Sequence, residues 1–170
     1  MDLQMTSNER KSAFEFKPVI LDPKERWRSQ PFDLKIDARW THQAGCSVSM
    51  DEAEEIRVKV EDRSAARLSG MRFSTGEQWV KEMSGARVNV RMVTRSDSGG
   101  SVPFRAVYLP QDSPPSEYVP ALATPSGSEL SFDIQIPEAS QSNTHLLVLE
   151  PLEDAVEIVI SSAFMEVVEQ

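Results

Sequence analysis

Cysteine is almost absent from this chain of 170 residues. Cys46 stands alone, so no internal disulfide can form, and the chain is long enough to bury one substantial core without one. Histidine is nearly as scarce. His42 and His145 are far apart in sequence, and neither sits in an HExxH, HxH or CxxC context. A zinc or iron site therefore lacks ligands, and neither a metal nor a cofactor is expected. No run approaches the roughly eighteen apolar residues of a membrane helix. The N-terminus MDLQMTSNERKSAFEF has no basic start followed by an apolar block, so no signal peptide is read there. The expectation is a soluble protein made in the cytoplasm, without membrane insertion and open to incorporation into a particle.

Basic residues are missing from the last third. Residues 111–170 carry 11 Asp and Glu and no Lys or Arg, while residues 1–110 carry all 18 Lys and Arg against 16 Asp and Glu, which leaves a net charge of -9. An acidic third repels phosphates and anionic lipid, which argues against nucleic acid as a partner. The motifs of common enzymes are missing too: there is no GxSxG, GxGxxG, Walker-type or kinase-type pattern. Carboxylates are plentiful, but nothing singles out an acid and base pair, so no catalytic residue is assigned and the chain is read as a non-enzyme. The run MDEAEE offers oxygen ligands that suit calcium, yet it lacks the Gly or Asn that bends a calcium loop, and a solvated loop is expected there.

What the sequence does contain is period-two alternation. FDLKIDARW sets Phe32, Leu34, Ile36, Ala38 and Trp40 against Asp33, Lys35, Asp37 and Arg39. IRVKVED repeats the pattern with Ile56, Val58 and Val60, RVNVRMV with Val88, Val90 and Met92, and ELSFDIQI with Leu130, Phe132, Ile134 and Ile136. VPFRAVYL, HLLVLEP and VEIVI alternate less cleanly, as strands covered on both sides do. Many short strands divided by Gly, Pro, Ser and Asp predict an all-β, antiparallel sandwich or barrel over residues 32–170. One short helix is expected at STGEQWVKEM, with Ser74 and Glu77 as a capping box and Trp79, Val80 and Met83 on its buried face. Gly99-Gly100 in RSDSGGSVP marks a hairpin turn, and LPQDSPPSEYVPALATPSGSE reads as one long connection anchored by Tyr118, Val119 and Leu122. Residues 1–31, with Pro18, Pro23 and Pro31, form an extended N-terminal arm, in which Phe14, Phe16, Ile20 and Trp27 supply apolar groups for docking.

The order from SGARVNVRM onward, through ELSFDIQIPE and THLLVLEP to VEIVISSAFMEVVEQ, resembles the jelly-roll sandwiches of the galactose-binding-like and carbohydrate-binding-module group. VEIVI stands for the first part of their closing pattern, Ser161-Ser162 for its polar break and AFMEVVEQ for the last strand. The resemblance covers about half the chain and implies a non-catalytic jelly roll that binds sugars through aromatic platforms and polar side chains. Exposed aromatics are few here. Trp27, Tyr118 and Tyr108 remain as candidate stacking residues, with Arg87, Asn89 and Arg91 on the polar face of one strand and Arg105 on the next as hydrogen-bond donors.

Two functions follow. The first is a structural or assembly module, such as a decoration or connecting component of a virus particle or other large complex, docked through its arm to protein partners or to itself. The alternative is a glycan-binding or adhesion module. Because the chain starts at its own Met and carries no catalytic partner, the expectation leans to assembly.

Overall fold

A computed structural model of the chain describes residues 30–65, 70–138 and 144–168. The arm residues Phe14, Phe16, Ile20 and Trp27, and the expected docking, lie outside the described residues. What is described is two antiparallel sheets packed face to face. One runs β3 (Cys46–Met50), β4 (Ile56–Val60), β11 (Val156–Val167), β6 (Arg87–Ser96) and β9 (Ser128–Gln135), with β1 (Phe32–Asp33) also on β11. The other runs β2 (Arg39–His42), β5 (Met71–Ser74), β10 (Leu146–Pro151), β7 (Val102–Leu109) and β8 (Val119–Ala123). Val58, Val90, Met92, Phe73, Leu147, Ile158 and Met165 meet between them and are wholly buried, as the alternation predicts. Val107 and Val148, paired across β7 and β10 on the opposite face, are 1% exposed, so the centre of that sheet is covered on both sides, as its weaker alternation implied.

The helix α1 (Glu77–Glu82) buries Trp79 and Val80, and Trp79 packs on Phe32 with ring centroids 4.6 Å apart. Its N-cap is Gly76 rather than Ser74, and no side chain caps it, because Ser74 is held in β5 opposite Arg39 and Leu146. The expected capping box is therefore absent.

Four further expectations are corrected. Phe32–Trp40 is not one strand. Asp33 Oδ1 accepts the Lys35 N–H at 2.9 Å, and the Asp33 carbonyl accepts from Ile36 and Asp37, so a turn breaks the run and leaves Ile36 77% exposed. A short Asp side chain offers the backbone an alternative to the ladder, and here it wins. The Gly99 turn, with φ 88°, joins β6 to β7 across the two sheets and so is not a hairpin. The connection after Leu109 contains β8, paired with β7 from Val102↔Ala123 to Ala106↔Val119. Finally, β11 is a single strand, whose register slips between Ile160 and Ser162. Ser161 is a β-bulge, with its Oγ donating to the Val93 carbonyl at 3.2 Å. Among the described residues no helix is long and apolar enough to cross a membrane.

Candidate functional site

The polar face of β6 forms as expected. Its alternation sends Val88, Val90 and Met92 inward and Arg87, Asn89 and Arg91 outward. Each outward donor meets a carboxylate on the neighbouring strand. Arg87 donates to Asp133 at 2.9 Å, Asn89 to Asp133 at 2.8 Å and to Ser131 at 3.1 Å, and Arg91 to Glu166 at 2.9 Å. The Asn89 amide, then the Arg87 guanidinium, hold the Asp133 carboxyl below the ordinary range, against a smaller desolvation effect. Farther along, Arg95 grips Glu55 with two bonds of 2.7 and 2.9 Å, and Arg57 sits among Asp51 (2.9 Å), Asp97 (2.6 Å) and Glu157 (3.4 Å). The acidic run MDEAEE is thus the β3–β4 turn, its Asp51 Oδ1 also accepting the Ala53 and Glu55 N–H groups. No group of three or more His, Cys, Asp and Glu that would suit a metal occurs among the described residues.

Arg105 does not join this face. It lies on β7, and β7 belongs to the other sheet, so Arg105 and Tyr118 sit on the opposite side of the sandwich from Arg87, Asn89 and Arg91. The expectation that Arg105 stands beside them on the next strand is corrected: the chain changes sheets between Ser96 and Val102. On its own side Arg105 makes a compact group. Its guanidinium carbon lies 4.0 Å from the Tyr118 ring centroid, and its Nε donates to Glu150 Oε1 at 2.8 Å. Glu150 faces Arg105 across the β10–β7 ladder and is 3% exposed. Its second oxygen accepts from Arg63 at 3.4 Å. Both oxygens of this deeply buried side chain are thereby hydrogen-bonded, which offsets its loss of water.

Arg63 extends the group into a hollow. With Ser64, Leu152 and Asp154 it lines a concavity of about 390 Å³, in which the Arg63 N–H is held by Asp154 at 2.7 Å. Tyr118, 45% exposed, is the one Phe, Trp or Tyr among the described residues that is exposed to solvent. Pro120 and Leu122 continue its exposed side along β8. A flat apolar ring beside fixed donors and acceptors, leading to a hollow, suits an extended polyhydroxyl ligand: the ring takes C–H faces and the polar groups take hydroxyls. A second cleft of about 470 Å³, bordered by Asp37, Arg39, Ser74, Glu77 and Thr144, has polar walls but no aromatic floor.

Sequence reasoning missed Glu150 and Arg63. Glu150 had a signal, a charge ending the apolar run LLVL, which asks for a buried partner. Arg63 had none, because only the fold sets it beside β10. Tyr108 is no stacking residue: it is 1% exposed, and its hydroxyl lies 2.7 Å from His145 Nδ1 in an unforeseen buried polar pair. Burial holds the His145 imidazole below its usual range against the opposing charge of Asp112. Burial likewise raises Tyr108, against a hydrogen bond with the Trp79 indole.

No protein-family model matches the sequence. No curated protein matches it either. Solved structures do. The CBM22-1 xylan-binding domain from Paenibacillus barcinonensis superposes with a TM-score of 0.59 at 11% identity, over 82% of this chain and 94% of that one. A CBM4 structure gives 0.57 at 14% identity, over 84% and 97%. The C-terminal family 22 carbohydrate-binding module of Clostridium thermocellum Xyn10B gives 0.57 at 14%, over 85% and 97%. The fold is that of the carbohydrate-binding-module β-sandwiches. At such identity the likeness speaks for the architecture alone, and the residues must speak for function.

Proposed function

We propose that the chain is a non-catalytic carbohydrate-binding module that holds a glycan across Tyr118, Arg105 and the hollow beyond Arg63. The observation that carries this reading is the exposed Tyr118 ring fixed beside the Arg105–Glu150–Arg63 group on a sandwich of this fold. The similar structures named above are sugar-binding modules, which favours the glycan reading over a particle component. Arg87, Asn89 and Arg91 are the second candidate surface. Their ion pairs are solvent-exposed and worth about 0–1 kcal/mol each, so a ligand hydroxyl exchanges with them at little cost.

The test is titration calorimetry against soluble oligosaccharides chosen from a glycan array. Tyr118→Ala should weaken binding by at least about tenfold, the loss of about 1.4 kcal/mol of stacking and contact. Unchanged affinity in that variant with a loss in Arg87→Ala/Arg91→Ala moves the site to the other sheet. An array blank for the unmodified protein ends the reading.

The division into an arm over 1–31 and a sandwich over 32–170 gives the assembly reading its own test. Deletion of the arm should leave a folded sandwich that no longer joins its protein partner. A complex unchanged by the deletion counts against docking through the arm.

A further inference from the structure

A sandwich of two open sheets has edge strands, and edges invite pairing unless charge, proline or a bulge guards them. Among the described residues the edges are β2 and β8 of one sheet and β3 and β9 of the other. Three are guarded. Strand β8 contains Pro120, and its Leu122 carbonyl is taken by the Ser128 hydroxyl at 2.6 Å. Strand β9 carries Glu129 and Asp133, and β2 carries Arg39 and the exposed His42. Strand β3, CSVSM, has no charge and no proline.

The free side of β3 follows from ladder parity. Glu61 donates to the Gly45 carbonyl at 2.8 Å and Asp51 to the Glu55 carbonyl at 3.0 Å, and between them the pairing with β4 is unbroken. Antiparallel ladders alternate, so Ser47 and Ser49 aim their backbone groups at β4, while Val48 and Met50 aim theirs away from the sheet. The same flank is apolar. Met50 is 41% exposed, Val48 is half-buried, and Ile36, 77% exposed, lies in the turn that leads into β2, the other edge strand on this side. Strands β2 and β3 adjoin there.

We infer that β3 is a strand-pairing surface and that its occupant is a second copy of this chain, the two β3 strands running antiparallel across a two-fold axis to join the copies' sheets. The strand is its own complement. Centred on Val48, Ser47 faces Ser49 of the copy and Cys46 faces Met50, so no charge opposes a like charge. On the next strand inward Arg57 is neutralised by Asp51, Asp97 and Glu157, and the exposed Lys59, opposite Ser47, stands one strand back from the seam. A five-residue edge is a small interface, so the dimer is weak and forms at high concentration. The inference does not depend on glycan binding.

Sedimentation of the full chain between about 10 μM and 1 mM tests it. The expected result is a reversible monomer–dimer equilibrium that Ser49→Lys weakens by at least about tenfold, because each lysine enters a polar, uncharged edge beside its copy. Ser49 is exposed, so the variant folds, which thermal melting verifies. Hydrogen exchange should show the Val48 and Met50 amides protected as concentration rises, while the outward amides of β9, such as Asp133, are unaffected. A chain that stays monomeric at the highest concentration overturns the inference. So does a dimer indifferent to Ser49→Lys, or one that leaves the Val48 and Met50 amides unprotected.

Discussion

Arg105 rests its guanidinium on the ring of Tyr118, 4.0 Å from the centroid, while its Nε holds the buried Glu150. One side chain thus serves the exposed ring and a carboxylate 3% exposed, which ties the candidate surface to the interior.

That tie makes Arg105 unequal to its neighbour in stability. Tyr118→Ala removes a ring at the surface, about half exposed, and should change unfolding free energy by less than about 1 kcal/mol. Arg105→Ala leaves Glu150 with Arg63 alone, and a buried charge stripped of a partner costs about 2–4 kcal/mol, the lower part applying because Arg105 is itself 35% exposed. Arg105→Ala/Glu150→Gln should recover part of the loss. Urea unfolding of the three variants measures this, and equal midpoints for Tyr118→Ala and Arg105→Ala would contradict the assignment.

Acid should weaken the sheet that carries the ion pairs. Asp133 is held low by Asn89 and Arg87, Glu55 by Arg95, and Asp97 by Arg57. Each folded value lies below the unfolded one, so the contribution is present above the unfolded value near 4 and disappears as pH falls through the folded value. His145, also depressed, acts in the same direction at a higher pH: folding is favoured above the unfolded value near 6.5 and loses that contribution as pH drops below it. A plot of urea midpoint against pH should therefore decline in two stages. In His145→Gln the upper stage should vanish. Salt should flatten the lower stage in part, since these pairs reach the surface and are screened there.

Two glycines with similar backbone angles should respond differently to alanine. Gly45 has φ 82°, and a Cβ there would sit 2.1 Å from the Asp62 carbonyl oxygen and 2.9 Å from Ala65 Cβ. Gly99 has φ 88° with nothing within 4 Å. Gly99→Ala should cost about 1 kcal/mol of backbone strain, and Gly45→Ala that amount plus a clash of several kcal/mol more. Thermal melting separates the two. Similar melting points would mean the Gly45 turn yields freely.

Ending the chain after Ala155 should abolish folding rather than merely impair binding. The removed strand, β11, lies between β4 and β6 and also pairs with β1, so its loss removes Ile158, Ile160 and Met165 from the core and opens three pairings. Circular dichroism of the truncated chain should lack a cooperative transition. Where the alternation is kept but packing is trimmed, as in Ile158→Ala, the loss should be about 2–5 kcal/mol.

Much of this architecture was legible without coordinates. Ile56, Val58 and Val60, or Val88, Val90 and Met92, could bury themselves in only one way at period two, and the face opposite them had to be polar. Tyr118 was legible as an anchored aromatic in a Pro-rich stretch. Less was legible where local chemistry competes with pattern. Asp33 carried the same alternation as the strands and still turned the chain, because its carboxylate satisfied the backbone more cheaply than a ladder would. Pro120 disguised β8 as loop, although a proline is tolerated at a sheet edge.

The sequence by itself determined the all-β class, the buried face of most strands and the acidity of the last third, because alternation and charge are local properties of the chain. Only the tertiary structure decided which strands share a sheet. Ser96 to Val102 reads as a turn whether it joins neighbours or crosses the core, and pairing partners are chosen by how both faces bury together. That choice put Arg87, Asn89 and Arg91 on one side and Arg105 with Tyr118 on the other. It also brought Arg63 to Glu150 from 87 residues away and left β3, among the described strands, as an edge without charge or proline.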